Sequence, residues 1–353
     1  MVQTVDPQQA YYDALDQLNV AALWRLDESR SPATIRPYVW HWRDLHPRLL
    51  QATELADLDT NAERRVLTMM NPGLQPLSGA THTITASLQL ILPGEIAPAH
   101  RHTMAAFRFI IEGDGGYTVV EGEKIPMRPG DLILTPNWTW HDHGNEGTSP
   151  MIWFDGLDVP FVRSLKACFY QDFPGRRPQP VKASWPESYD RFGGAGVLPA
   201  KDRPTSLYSP LNLYKWEHAY AALKRLQAVS SDEIDGTLLE YVHPLTGGHV
   251  LPTMACYLQA LRPGTHTKAR RTTASSVLFV WQGAGYSVMD GQRFDWSDRD
   301  IIAVPPWCWC EHVVDPDREA IFFRVSDVPV LEPFGLLREE VYRPNDGHQP
   351  LEA

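Results

Sequence analysis

No apolar run in this chain approaches the roughly 18 residues that a membrane-spanning helix requires. The first residues, MVQTVDPQQAYYDALDQ, are polar and acidic where a secretory leader would be basic and then apolar, so a cytoplasmic location is expected. Basic charge is also short. Against 43 Asp plus Glu stand 32 Lys plus Arg, a formal charge of −11 that argues against a nucleic-acid or membrane-surface partner. Cysteine is scarce: Cys168, Cys256, Cys308 and Cys310 form no CxxC pair, which leaves neither a disulfide framework nor a thiolate metal site. There is no GxSxG elbow, and GDGG at 113–116 lacks the Lys-Ser/Thr of a phosphate loop.

What is abundant points to strands. Thirty prolines, 24 glycines, 12 tryptophans and 13 tyrosines suit short strands joined by punctuated turns better than helices. From Thr81 the text alternates apolar and polar residues (TITASLQLIL, FRFIIEG, GYTVVEGEKIPM, DLILTP, MIWFDG), each stretch bounded by Gly, Pro or Asn. Helical spacing is confined to a stretch within residues 8–55 and to WEHAYAALKRLQAV. VLTMM, from Val66, reads as a strand, and the Pro- and Gly-rich residues 171–204 read as a linker.

The second half repeats the first. A shift of 170 lays Leu88 and Gln89 on Leu258 and Gln259, Pro93 and Gly94 on Pro263 and Gly264, and Gly113 on Gly283. After a one-residue deletion Tyr117 falls on Tyr286, Gly122 on Gly291, Asp131 on Asp300, Trp138 on Trp307, Trp140 on Trp309 and His143 on His312. The chain therefore holds two copies of one β domain. We expect a helical arm and lead-in over 1–75, a first barrel over 76–165, a linker with a short helix over 166–235, a second barrel over 236–345 and a tail over 346–353. Turn residues are shared, but His100, His102, Arg108 and His141 become Arg270, Thr272, Leu278 and Cys310 in the second copy. Chemistry is expected where the copies differ.

In GEIAPAHRH, His100 and His102 are two residues apart and so share one face of a strand. GDLILTPNWTWHDHGN brings His141 from another strand, and three converging imidazoles make a metal site. These two strings resemble the paired motifs of the cupin superfamily. They depart from them twice: the ligand Glu is absent from TMAAFRF, and Trp138 stands where the motif has Gly. With AERR around Arg64, NPG at 71–73, LQLILPGE, RFIIEG and TPNWTWHDHG, the chain is similar over nearly its whole length to the bicupin gentisate 1,2-dioxygenases and their salicylate- and 1-hydroxy-2-naphthoate-cleaving relatives.

That resemblance implies an all-β fold of two cupin jelly-roll barrels with an N-terminal helical arm. It also implies one Fe(II) per chain on His100, His102 and His141, O2 and a small aromatic hydroxy acid as substrates, a role in aromatic catabolism, and a homotetramer. The expected reaction is cleavage of gentisate between C1 and C2 to maleylpyruvate, with salicylate, a 5-substituted salicylate or 1-hydroxy-2-naphthoate as alternatives. A non-catalytic ligand-binding cupin is the reading from another class. Arg108, in an apolar run, is read as the fork for the substrate carboxylate, the alternative being an ion pair with Glu112 or Glu121. Arg64 is either a pocket residue or a surface or interdomain pair. His143 is a fourth ligand, a proton-transfer group or a polar wall, or else structural, since its counterpart His312 persists in the second copy. Gln89 and Asp155 resemble pocket residues of the family. Trp138, Trp140 and Trp153 are read as packing, and Thr85, Ser87 and Met104 depart from the expected pocket pattern.

Overall fold

The structure, a computed structural model, describes residues 6–18, 20–25, 35–56, 64–194 and 196–351. Met1–Thr34 is a unit of its own. In it the helix Pro7–Gln17 begins where the Asp6 carboxylate accepts from the Gln8 N–H at 3.0 Å, with Pro in the first turn where no N–H is needed. This helix buries none of its residues, and residues 26–34 of the expected helical stretch lie outside the described part.

Ile35–Ala353 forms the second unit, built from two antiparallel jelly-roll barrels. In barrel one, a six-stranded sheet runs in the order Leu213–Tyr214, Leu132–Thr135, Ala106–Glu112, Met151–Leu157, Thr85–Ile91, Arg65–Thr68. It faces a five-stranded sheet in the order Tyr170–Asp172, Ile96–His102, His141–Asn145, Gly116–Val120, Glu123–Pro126. Barrel two repeats the pair of sheets. The turn glycines kept by the repeat have a reason: Gly94 and Gly264, at φ +81° and +70°, and Gly122 and Gly291, at +88° and +80°, sit in left-handed backbone. Trp138 and Trp307 also lie there, both at φ +59°, which is why the motif elsewhere uses Gly. Each is partnered by a cation. Arg101 lies 4.6 Å from the Trp138 ring and 4.5 Å from Trp140, and Arg271 lies 4.5 Å from both Trp307 and Trp309.

The repeat extends further than its β motifs. Trp42–Leu55 and Trp216–Val229 are both helices of 14 residues, and Leu49 and Leu223 are each fully buried at the same place in them. Each lead-in docks on the barrel of the other copy. Tyr38–Trp40 pairs with Ile301–Val304 of barrel two, and the Asp300 carboxylate accepts from the Trp42 N–H at 2.7 Å. Leu213–Tyr214 pairs with Leu132–Thr135 of barrel one, and Asp131 accepts from the Trp216 N–H at 2.8 Å. A carboxylate at a helix N-terminus satisfies an otherwise orphaned donor, and here it also fixes the exchange. The expected linker over 166–235 thus contributes Tyr170–Asp172 and Leu213–Tyr214 to barrel one's sheets.

The six-stranded sheets pack back to back. Phe107 and Phe109 point into the core between barrels, where Phe109 stacks on Phe323 at 4.3 Å, while Arg108 between them points the other way, into barrel one. A reciprocal clasp closes the junction. Asp158 accepts from Thr253 Oγ1 at 2.6 Å, and Asp327, its counterpart in barrel two, accepts from Thr83 Oγ1 at 2.5 Å. Among the described residues no helix is long and apolar enough to cross a membrane.

Candidate metal centre and active-site cavity

The strand period places the histidines. On Ile96–His102, His100 and His102 face inward while Arg101 faces the tryptophans outside; on His141–Asn145, His141 and His143 face inward while Asp142 faces out. The register sets His100 directly opposite His141. Ring centroids of the three lie 4.3 to 5.3 Å apart, and their nitrogen donors fall within 4.8 Å of one another. This buried group is able to bind a metal ion. Burial holds His100 down at about 2 and His102 at about 4, and pushes His141 well below its ordinary value, so all three are neutral at pH 7. His102 Nδ1 meets the Met104 carbonyl at 2.8 Å and His141 Nδ1 the Thr139 carbonyl at 3.0 Å, which puts those protons on Nδ1 and leaves Nε2 free.

Opposite the histidines, the six-stranded sheet supplies the polar end of a cavity of about 330 Å³. Arg64, Gln89, Arg108, His143 and Asp155 all line it, with Thr85 and Ser87 on the same wall. Arg108 is 3% exposed and donates to Thr135 Oγ1; its ionic partner is Asp155, Nε to Oδ1 3.9 Å. Neither carboxylate considered from the sequence serves that purpose: Glu112 pairs with Arg299, and Glu121 accepts from the Trp140 N–H at 2.6 Å. Both lie outside the cavity, because the register sets Asp155, and not a residue near in sequence, across from Arg108. Burial raises the Asp155 carboxyl, and the Arg108 charge opposes that shift. Arg64 donates to the Pro98 carbonyl at 3.1 Å and reaches His100 Nδ1.

Hydrogen-bond satisfaction sets this cavity apart. Among the described residues, seven buried side-chain polar atoms lack a partner, and four of them, Thr85 Oγ1, Arg108 Nε, His143 Nδ1 and Asp155 Oδ1, belong to its lining. Unsatisfied buried groups are rare in folded proteins, and a cluster of them aimed into one space marks a place where a polar ligand completes the set. Barrel two supplies a contrast. His312 Nδ1 is held by Ser287 Oγ at 2.8 Å, which also accepts from Trp296 Nε1 at 3.0 Å, whereas His143 has no such tie. In the place of His100, Arg270 reaches Asp235 at 2.9 Å. Arg324, in the place of Asp155, reaches Asp235 at 3.2 Å, and burial pushes the Cys310 thiol up to about 12. Only about 40 Å³ remains there.

Two contributors escaped the sequence reading. Tyr170 stacks on His100 at 5.1 Å from the strand paired with Ile96–His102, and no periodicity or motif in its proline-rich segment signals that. Thr68 shares a hydrogen bond of 3.2 Å with Ser87, extending the hydroxyl wall, and its place in the VLTMM strand was the available clue.

Two fused cupin barrels, one with three neutral histidines at the mouth of a polar cavity and one with that space closed by an Arg–Asp–Arg cluster, define a bicupin in which the first barrel holds a buried histidine group able to bind a metal; a model of the Cupin domain matches residues 87–159. Over 350 residues the chain is 35% identical to a 5-aminosalicylate 1,2-dioxygenase from Comamonas sp, covering 96% of this chain and 92% of that one. Over 316 residues it is 36% identical to a gentisate 1,2-dioxygenase from Streptomyces sp, covering 88% and 87%. The crystal structure of salicylate 1,2-dioxygenase from Pseudoaminobacter salicylatoxidans with gentisate superposes with a TM-score of 0.89 at 31% identity, covering 96% of this chain and 95% of that one. The chain belongs to the gentisate 1,2-dioxygenase family of ring-cleaving cupin dioxygenases.

Proposed function

We propose that this chain is an Fe(II)-dependent dioxygenase that opens gentisate between C1 and C2 to maleylpyruvate, with one iron per chain on His100, His102 and His141. The donor chemistry fits. Three neutral imidazoles with no carboxylate leave the full charge of the ion to be balanced by a substrate carboxylate and phenolate. When bound, iron supplies the centre at which the hydroxy acid and O2 exchange electrons.

The protein's own groups do the rest. Arg108, with Nε unpartnered, binds the substrate carboxylate, and Asp155 holds the guanidinium in place. His143, neutral through burial and with Nδ1 unpartnered, accepts the proton of a substrate hydroxyl. Arg64 and Gln89 complete the rim of the substrate space, and Tyr170 stacks on His100. The observation that carries this reading is the gathering of three metal-ready histidines and four unsatisfied polar atoms in one cavity.

The hydroxyl wall supports a second substrate choice. Thr85 Oγ1 is buried without a partner beside Ser87 and Thr68, so this wall would accept a hydrogen-bonding 5-substituent, whether the hydroxyl of gentisate or the substituent of a 5-substituted salicylate. We also infer a homotetramer assembled through the N-terminal arm, which leaves Leu18 70%, Leu23 66% and Trp24 72% exposed; light scattering on the full chain checks it. The deciding experiment loads Fe(II) anaerobically, then follows oxygen uptake with gentisate, salicylate and 5-aminosalicylate in parallel. One O2 consumed per ring is expected, and no uptake by iron-loaded protein with any of the three overturns the proposal.

A further inference from the structure

The two barrels share a device on their outer surface. In barrel one Asp142, facing out between His141 and His143, accepts from the Gln179 backbone N–H at 3.0 Å, and the Gln179 amide donates to the Val119 carbonyl at 3.1 Å. Barrel two repeats it: Glu311 accepts from the Gln349 N–H at 3.0 Å, and the Gln349 amide donates to the Val288 carbonyl at 2.9 Å. The pinned strap reads Pro178-Gln179-Pro180 in one and His348-Gln349-Pro350 in the other. Pinning therefore needs only a carboxylate and a glutamine. Barrel two has three additions: a carboxylate one methylene longer, His348 where barrel one has Pro178, and His266 where it has Ile96.

These additions converge on one point. His348 Nδ1 lies 3.1 Å from Glu311 Oε2, His266 Nε2 lies 3.6 Å from the same oxygen, and the imidazole centroids are 3.8 Å apart. All three donor atoms fall within 4.8 Å of one another. Tetrahedral bonds of about 2.0 to 2.2 Å put neighbouring donors roughly 3.3 Å apart, so small side-chain rotations suffice to bring the three onto one ion. The Glu311 side chain is 1% exposed and anchors the site from within, while that of His266, at 42%, leaves it open to solvent.

We propose that His266, Glu311 and His348 form a second metal site, on the outer face of barrel two, that takes Zn(II) through two imidazole nitrogens and one carboxylate oxygen, with water completing the coordination. The donor set is one that zinc favours. It is separate from the closed interior of barrel two, and its ion clips the C-terminal strap to the barrel wall.

Iron-loaded full-length protein, titrated calorimetrically with ZnCl2, tests the site. The comparison variants are His266→Ile and the double variant His266→Ile/His348→Pro, which install the residues of barrel one. The wild type is expected to take one Zn(II) equivalent beyond its iron. Losing a direct ligand should weaken this by more than roughly a hundredfold, the upper end of what outer-shell losses cost. Zinc should raise the melting temperature of the wild type alone, with iron content and oxygen uptake alike in all three proteins. His266→Ile leaves the His348–Glu311 contact in place, so loss of the strap cannot imitate loss of the site. Absence of the additional equivalent in the wild type, or equal zinc affinity in wild type and His266→Ile, overturns the proposal.

Discussion

Arg108 and Asp155 face each other across the strands Ala106–Glu112 and Met151–Leu157, with Nε 3.9 Å from Oδ1 and neither atom hydrogen-bonded within the described protein. A buried pair this loose is held more by charge than by directed bonds, which leaves Arg108 Nε free for an incoming carboxylate while Nη1 is engaged by Thr135 Oγ1. Arg108→Lys keeps the charge and loses the fork. A charge-assisted bond is worth about 1.5 to 3 kcal/mol, so kcat/KM should fall roughly 10- to 100-fold with iron content unchanged. Normal turnover with a lowered melting temperature would instead assign Arg108 to structure alone.

The three histidines and their neighbour should separate cleanly. His100→Ala, His102→Ala and His141→Ala each remove one of three donors and should abolish iron retention. His143→Ala should retain iron and lose turnover, because His143 lies outside the three-donor group. Metal analysis of the four purified variants decides this, and an iron-free His143→Ala would make it a ligand.

Barrel two should hold no metal in its interior. Two guanidiniums, Arg270 and Arg324, already balance Asp235 there, and a cation would meet their charge. Anomalous diffraction at the iron edge should show one site per chain, and density among Arg270, Thr272 and Cys310 would contradict the assignment.

The clasp between barrels should impose a pH dependence on stability. Burial raises Asp158 from 3.8 to about 6, so the folded state binds its proton more tightly than the unfolded chain does. That contribution is fully present below pH 3.8 and is lost as pH rises through about 6. Asp158→Asn stays neutral throughout. The stability of wild type relative to this variant should therefore decline between pH 4 and pH 7, by on the order of 2 to 3 kcal/mol. Paired melts at several pH values measure it; a constant difference would show that Asp158 does not titrate in this range.

The two-residue spacing of His100 with His102 and of His141 with His143 was enough to anticipate that each pair shares one strand face, because a strand repeats every two residues. Comparison of the two copies pointed to the metal-ready one for the same local reason. The repeat itself was legible only in part. Its β motifs run at an offset of 170 and then 169, whereas the lead-in helices, Trp42 with Trp216 and Leu49 with Leu223, are offset by 216 − 42 = 174 and 223 − 49 = 174.

Which groups finally meet across the cavity was beyond local pattern. Asp155 as the partner of Arg108, Tyr170 over His100, and the lead-in helices docked on opposite barrels all join residues far apart in the chain. Strand periodicity assigns a side chain to a face, and turn residues say where a strand ends. Strand-to-strand register and the closure of two sheets on each other are settled collectively, when the whole barrel packs, and so only the folded chain reveals them.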